Sequence, residues 1–331
     1  MDDATVHEVD PVGDAADTSF TPLPDAARRA RAGWRRWLTP VAVLVVAFFL
    51  VRSIYRQWGA VTQFQWSLRW DLLLLSGILV WLDFVVLISL WRMILVQVGN
   101  RRLPFWRAYR VWFLSNFGKY VPGKVWALMG MVYLLRDEGY AAPPVLVSAV
   151  LNQALSIVSG SVLSVVVLGA GAFGGLPAWF MVAILAMAAL VLYPPFLQKL
   201  INFGLRLVGR DSVEIPLSFG RIALLFICYV GTWVIYGGAF WLLLVSIGVQ
   251  PGGSIMKIVA IFTASYLVGF LALFVPGGLG VREGALALLA GPLLPTGLAA
   301  PVAVLSRIWL TVTELIGAIP LLWIKGPADT T

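Results

Sequence analysis

Phe117-Gly118-Lys119-Tyr120-Val121-Pro122-Gly123-Lys124-Val125-Trp126 and Val275-Pro276-Gly277-Gly278-Leu279-Gly280-Val281-Arg282-Glu283-Gly284 decide how this chain folds. Each stretch interrupts an apolar segment with Val-Pro-Gly, and the two prolines lie 154 residues apart (276 − 122). At the same offset Leu134-Leu135 falls on Leu288-Leu289, and Ala149-Val150-Leu151 falls on Ala303-Val304-Leu305. This pattern implies an internal duplication. Proline removes a backbone donor and ends a helix, so each segment is expected to split into two half-helices. Broken helices at matching positions of a repeat point to the binding region of a transporter.

The sequence around the breaks supplies a membrane. Of 331 residues 60% are hydrophobic and 12% charged, and apolar runs of spanning length recur from residue 38 onward. An all-α polytopic membrane protein is expected, with about six full spans near 38–55, 72–98, 144–170, 178–193, 222–248 and 299–324. The transmembrane domain covers 38–325, and 326–331 form a short tail. The first 25 residues hold seven acids and no Lys or Arg, which predicts a disordered arm and no signal peptide. Arg28, Arg29, Arg31, Arg35 and Arg36 then form a basic juxtamembrane cluster, so that 1–37 is read as tail plus cluster. The net charge of +8 invites a nucleic-acid partner. However, the basic residues sit at the ends of apolar runs, where membrane orientation explains them better. Membrane lipids are the expected partners, nucleic acid is not, and self-association stays open. Cys228 is the only cysteine and His7 the only histidine, which argues against disulfides, thiolate zinc sites and histidine catalysis. No cofactor, metal or enzymatic activity is expected.

Arginine placement sets the sidedness. The N-terminal cluster, the loop with Arg101, Arg102, Arg107 and Arg110, and the segment with Lys199, Arg206, Arg210 and Arg221 read as cytoplasmic. The uncharged loops 171–177, 249–254 and 291–298 read as external. Arg52, Arg56 and Arg69 depart from this pattern and are taken as snorkelling interfacial residues. Segment 109–135 must then begin and end on the cytoplasmic side, and segment 255–290 on the outside. A helix rises about 1.5 Å per residue and the hydrocarbon core is ~30 Å thick, so half-helices of this length reach only midway. Both segments are therefore expected to be re-entrant helical hairpins. They enter from opposite faces, which makes repeat 1 (about 72–170) and repeat 2 (about 222–324) an inverted-topology pair. Residues 196–208 mix Phe, Leu and Ile with Gln198, Lys199, Asn202 and Arg206 and suit a short interfacial helix.

Polar residues inside the spans mark the candidate site, because a charge at mid-membrane costs about 2.5–3.5 kcal/mol on insertion scales. Lys119 and Lys124 flank the first break, at Pro122 and Gly123. Arg282 and Glu283 follow the second, at Pro276, Gly277 and Gly278. Free N–H groups at the new helix starts, together with these basic side chains, would make two anion-binding tips. A plainer reading has Arg282 and Glu283 pairing with neighbours or stabilising the helix start. Arg307 lies 31 residues after Pro276 (307 − 276) and Gln153 lies 31 after Pro122 (153 − 122), with Asn152 beside it. Both repeats thus place polar side chains on the span after the hairpin. Glu314 shares a helical face with Arg307 two turns on. Asp83, in the middle of the second span, is a candidate for proton or ion coupling. Its repeat equivalent is Gly237, followed by Gly238, a pair suited to close packing.

At both break motifs, and at Ser306-Arg307, the chain resembles the lysylphosphatidylglycerol synthase transmembrane-region family over roughly residues 40–325. The best-known members, the multiple peptide resistance factors, are regarded as moving aminoacylated phosphatidylglycerol through this region, and a soluble domain makes that lipid. The resemblance implies a member lacking that synthase domain. Lys124-Val125 and Asn152-Gln153 stand where members often carry Gly-Asp and Glu-Arg pairs, a departure that bears on the head group. A flippase for an anionic phospholipid or polyprenyl-phosphate-linked lipid is expected in the cytoplasmic membrane, with both termini inside. The alternatives are a secondary transporter of a small soluble anion, or a non-transporting scaffold.

In a Cys228→Ser background, a cysteine at position 138 should label only from the cytoplasm and one at position 296 only from outside. Labelling of both from one side overturns the inversion.

Overall fold

The computed structural model describes residues 55, 62, 64–120, 125–169, 178–207, 209, 212–272, 276–278 and 280–323, all within the second of the chain's two units, Ala42–Thr331. The expected span 38–55, apart from Tyr55, and the acidic tail with its arginine cluster lie outside these residues. An apolar run in lipid satisfies its backbone by forming a helix, and the described residues form helices, short 3-10 turns and loops with no strand.

Four helices carry the architecture: α1 (Trp70–Gly99), α4 (Ala142–Leu168), α7 (Phe219–Ser246) and α10 (Ala299–Ala318), the last extended by a 3-10 turn to Leu322. Among the described residues these four are long and apolar enough to cross a membrane. Helix α5 (Ala178–Leu192) has 15 residues, about 22 Å, less than a ~30 Å core. Pro194-Pro195 then starts α6 (Pro194–Leu207) at 85° to it, and the bent pair could count as a fifth span. Of the six expected spans, 38–55 lies outside the described residues apart from Tyr55, and the other five are found as four, or five with the bent pair.

Helix α6 has the amphipathic pattern expected of 196–208; Lys199 and Arg206 are exposed, but the rest of its polar face is taken up by protein. Gln198 and Asn202 bond the backbone of Val213 and Ile215, while Leu197, Ile201 and Leu205 bury against α4 and α7. Leu200 and Phe203 stay exposed.

Each broken segment folds back on itself. Helices α2 (Phe105–Asn116) and α3 (Val125–Arg136) are joined through a 3-10 turn at Phe117–Tyr120, and Arg107 meets Glu138 at 3.1 Å where the two ends come together. Arg92 of α1 donates to the Leu103 carbonyl and so anchors the start of this hairpin. Helices α8 (Ile255–Leu271) and α9 (Val281–Ala290) form the second hairpin, closed at its base by Gly252 N–H donating to Leu293 O at 2.7 Å. Its break uses three left-handed glycines, Gly277 (φ 59°), Gly278 (φ 66°) and Gly280 (φ 75°). A Cβ on Gly278 would collide with the Gly269 carbonyl of α8, and one on Gly269 would sit 2.6 Å from the Arg282 Cβ. Only glycines let the two arms approach this closely.

Contacts along the helices fix their directions. Arg69 N–H donates to Ser246 O and Ser76 Oγ to Ala239 O, so numbers rise along α1 as they fall along α7, and the two run antiparallel. Helix α10 runs with α1, since Gly77 faces Thr313 and Phe84 faces Gly317. Helix α4 runs with α7, since Tyr229 bonds Asn152 and Trp233 bonds the Ser156 carbonyl. The equivalent helices, α1 with α7 and α4 with α10, therefore point in opposite directions. Each hairpin also rests on the last long helix of the other repeat. Ser164 of α4 reaches Ala260 O of α8 at 3.3 Å, and Tyr109 of α2 donates to the Gly317 carbonyl of α10.

The surface has the polarity of a lipid-facing one. On α1, Leu74 and Ile78 are 65% and 58% exposed, whereas Ser76 and Asp83 are buried. Arg69 pairs at the exposed start of this helix with Asp71, and Trp66 and Trp70 are exposed beside it, as an interfacial belt requires. The small residues of α4 mark a packed face: a Cβ on Gly160 would lie 2.8 Å from the Trp233 ring.

Gly237 faces the Val259 Cα, which an added Cβ would approach to 2.7 Å, while its neighbour Gly238 faces open space. Gly237→Ala should therefore destabilise the protein in detergent by about 1–3 kcal/mol. Gly238→Ala should be neutral or slightly stabilising, since alanine favours a helix by up to about 1 kcal/mol. Thermal unfolding of the two variants checks the contrast.

Candidate substrate site

The two hairpins and the helices they rest on enclose a cavity of about 630 Å³. Its polar lining brings together Asp83 of α1, Asn116 of α2, Asn152 and Gln153 of α4, Arg282 of α9, and Arg307 and Glu314 of α10, together with Gly277 and Gly278 of the second break. Six elements thus converge on one polar chamber. Pro122, Gly123 and Lys124, and the side chains of Lys119 and Pro276, lie outside the described residues, so the expected role of the first tip stays an expectation.

Arg282 is held in an unusual way for a buried cation. Its guanidinium carbon lies 5.1 Å from the Phe262 ring centre and 4.8 Å from that of Tyr266, both on α8. Phe262 stacks on Phe240 at 4.4 Å, and Tyr236 packs edge-on to both Phe262 and Tyr266. Aromatic faces attract a cation, by about 2 kcal/mol when water is excluded, yet accept no conventional hydrogen bond. Arg282 is 7% exposed and its NH2 group has no hydrogen-bond partner. The rings thus support a charge with one donor group, NH2, unspent.

Glu283 and Arg307 have protein partners. Glu283 Oε2 accepts from Gly280 N–H at 2.6 Å, the helix-start role of the plainer sequence reading. A carboxylate already occupies the positive end of α9, where a bound anion would otherwise sit. Glu283 Oε1 lies 3.6 Å from Arg307 NH1, an ion pair beyond hydrogen-bond range, and the same Arg307 nitrogen donates to Gly277 O at 3.0 Å. Arg307 therefore clamps the second break. Glu314 accepts at 2.7 Å from Asn116 Nδ2 on the first hairpin. Helix α10 accordingly carries one contact for each hairpin, two turns apart.

Asp83 is 2% exposed, and its Oδ1 has no partner. Asn152 accepts from the Tyr229 hydroxyl, so it is both an interhelical contact and a lining residue. Gln153 lines the cavity without a hydrogen bond to any described residue. Sequence reasoning missed Asn116 and the aromatic wall of Trp112, Trp233, Tyr236 and Tyr266. An asparagine near a helix break and aromatics in apolar runs look like ordinary packing until the chain is folded.

The family pattern described as the lysylphosphatidylglycerol synthase TM region matches residues 37–317. The chain belongs to that family. This makes it a multi-pass membrane protein of a family tied to lipid handling. A comparison with curated proteins gives no match.

The Arg307–Glu283 pair should behave as a coupled unit. Arg307→Gln alone leaves a buried carboxylate short of its counter-charge and should cost about 3–5 kcal/mol, whereas Arg307→Gln with Glu283→Gln should cost less than the single change. Additive losses in denaturant unfolding would show that the two residues do not act together.

Proposed function

We propose that this protein is a lipid flippase that carries the anionic head group of a phospholipid or polyprenyl-phosphate-linked lipid across the cytoplasmic membrane. Membership of a lipid-handling family supports the class of cargo. The observation that carries the reading is the Arg282 NH2 group, buried and unpartnered at the wall of a chamber between two hairpins. An anion crossing the bilayer must shed much of its water, and a fixed guanidinium in a dry site replaces part of that hydration. In this reading the hairpins are re-entrant, their tips lie at mid-membrane, and the acyl or prenyl chains remain in lipid. Antiparallel repeats support alternating access, in which one unit moves against the other around the head group. No ATP chemistry is involved, since the sequence lacks the phosphate-binding Gly-x-x-x-x-Gly-Lys-Ser/Thr loop.

Reconstituted vesicles carrying tail-labelled anionic or zwitterionic reporter lipids test this. The protein should speed transbilayer movement of the anionic reporter preferentially. Arg282→Gln should slow it about tenfold or more, the loss of one charge-assisted hydrogen bond, at unchanged folded yield. Equal rates for both reporters, or none above empty vesicles, would count against the assignment.

A further inference from the structure

We infer that the head group read by this cavity is a sugar phosphate or similar polyol phosphate, with the phosphate on Arg282 and the hydroxyl-bearing ring on the wall formed by Asp83, Gln153 and the aromatics. The inference rests on the transport reading above and narrows its cargo. It starts from an imbalance in the lining. A bare phosphate satisfies Arg282 but adds an acceptor beside Asp83, whose own Oδ1 already lacks a donor. It also leaves the Gln153 amide, one donor group and one acceptor, without a described partner. Gln153 is only partly buried, whereas Asp83 is fully so; a ligand matched to both must donate and accept.

Two head-group chemistries could do so, a phosphate with an ammonium and a phosphate with several hydroxyls. The lining favours hydroxyls. An ammonium would donate to Asp83 but accepts nothing, and so leaves the N–H group of the Gln153 amide unmatched. A hydroxyl donates and accepts. It suits both ends of the Gln153 amide, and it suits Asp83 whether that carboxyl is ionised or protonated. The remaining wall is aromatic: Trp112, Trp233, Tyr236 and Tyr266 present apolar ring surface next to these polar groups. A pyranose or cyclitol has the same division, with C–H faces and a polar rim. Apolar walls with a few placed polar groups in about 300–1,000 Å³ are the ordinary form of a small-molecule site, and 630 Å³ falls in that range.

Binding and transport are measured separately. Purified full-length protein is titrated calorimetrically with mannose 1-phosphate, inorganic phosphate and phosphoethanolamine. The sugar phosphate should bind about tenfold or more tightly than either of the others, the worth of one or two added hydrogen bonds. Gln153→Ala removes a side chain with no described partner and should fold normally. It should erase most of that preference while leaving phosphate affinity unchanged. Asp83→Asn should weaken the sugar phosphate in the same selective way, and Arg282→Gln should weaken both phosphates. Equal affinity for phosphate and sugar phosphate, tighter phosphoethanolamine binding, or no detectable sugar-phosphate binding overturns the inference.

Sealed vesicles then identify the source of the head group. Tail-labelled phosphatidylinositol should cross faster than tail-labelled phosphatidic acid, and radiolabelled mannose 1-phosphate should not enter the lumen. Flipping of both lipids at one rate overturns the polyol assignment and leaves the flippase reading standing. Uptake of the soluble sugar phosphate without lipid movement overturns the flippase reading and leaves the head-group chemistry standing.

Discussion

Lipid cannot hydrogen-bond to a peptide group, and this constraint governs the rest of the molecule. A proline-glycine break in an apolar segment frees backbone groups that the bilayer cannot satisfy, so both breaks must be covered by protein or face a polar space. The second is covered on one side by α8, through the Gly269–Gly278 approach, and braced by Arg307 donating to Gly277 O. On its other side is the chamber. The cavity and the clamp are therefore two answers to the same problem, and the polar chemistry inside the protein follows from where its helices are interrupted.

The lining uses its charges unevenly. Glu283 stabilises a helix start, Arg307 ties that start to α10, and Glu314 receives the first hairpin through Asn116. These groups hold the walls. Arg282 and Asp83 line the cavity and are buried without full partners, at a cost that a ligand supplying those partners would relieve. The division separates side chains that build the site from those left able to read a ligand.

The positions of the long helices and of both fold-backs were legible because they depend on local chemistry: apolar length, proline and glycine. The direction of the repeats was legible from arginine placement, and the antiparallel contacts of α1 with α7 agree with it. Pairing inside the site was less accessible. Spacing put Arg307 and Glu314 on one face of α10, yet Arg307 turns to Glu283 and Gly277, while Glu314 takes Asn116 from 198 residues away. Contacts of that range depend on how hairpins cross other helices, which no local pattern records. The 85° turn between α5 and α6 was signalled by Pro194-Pro195; that Leu197, Ile201 and Leu205 join a buried cluster with residues of α1, α4 and α7 was not.

The exchange of supports between repeats has a consequence for how such a chain could have arisen. The hairpin α2–α3 touches α10 and α8–α9 touches α4, so each fold-back is steadied in part by a helix of the other unit, while Arg307 of α10 braces the second break from within its own. A half-length protein would lose the part of this support that comes from the other unit. It would recover that support as two copies inserted head to foot, each lending its last helix to the other. Joining those copies into one chain fixes their opposite orientations permanently. It also frees the two halves to diverge, so that a carboxylate at position 83 faces a glycine at its counterpart, 237, and one chamber acquires two unlike walls.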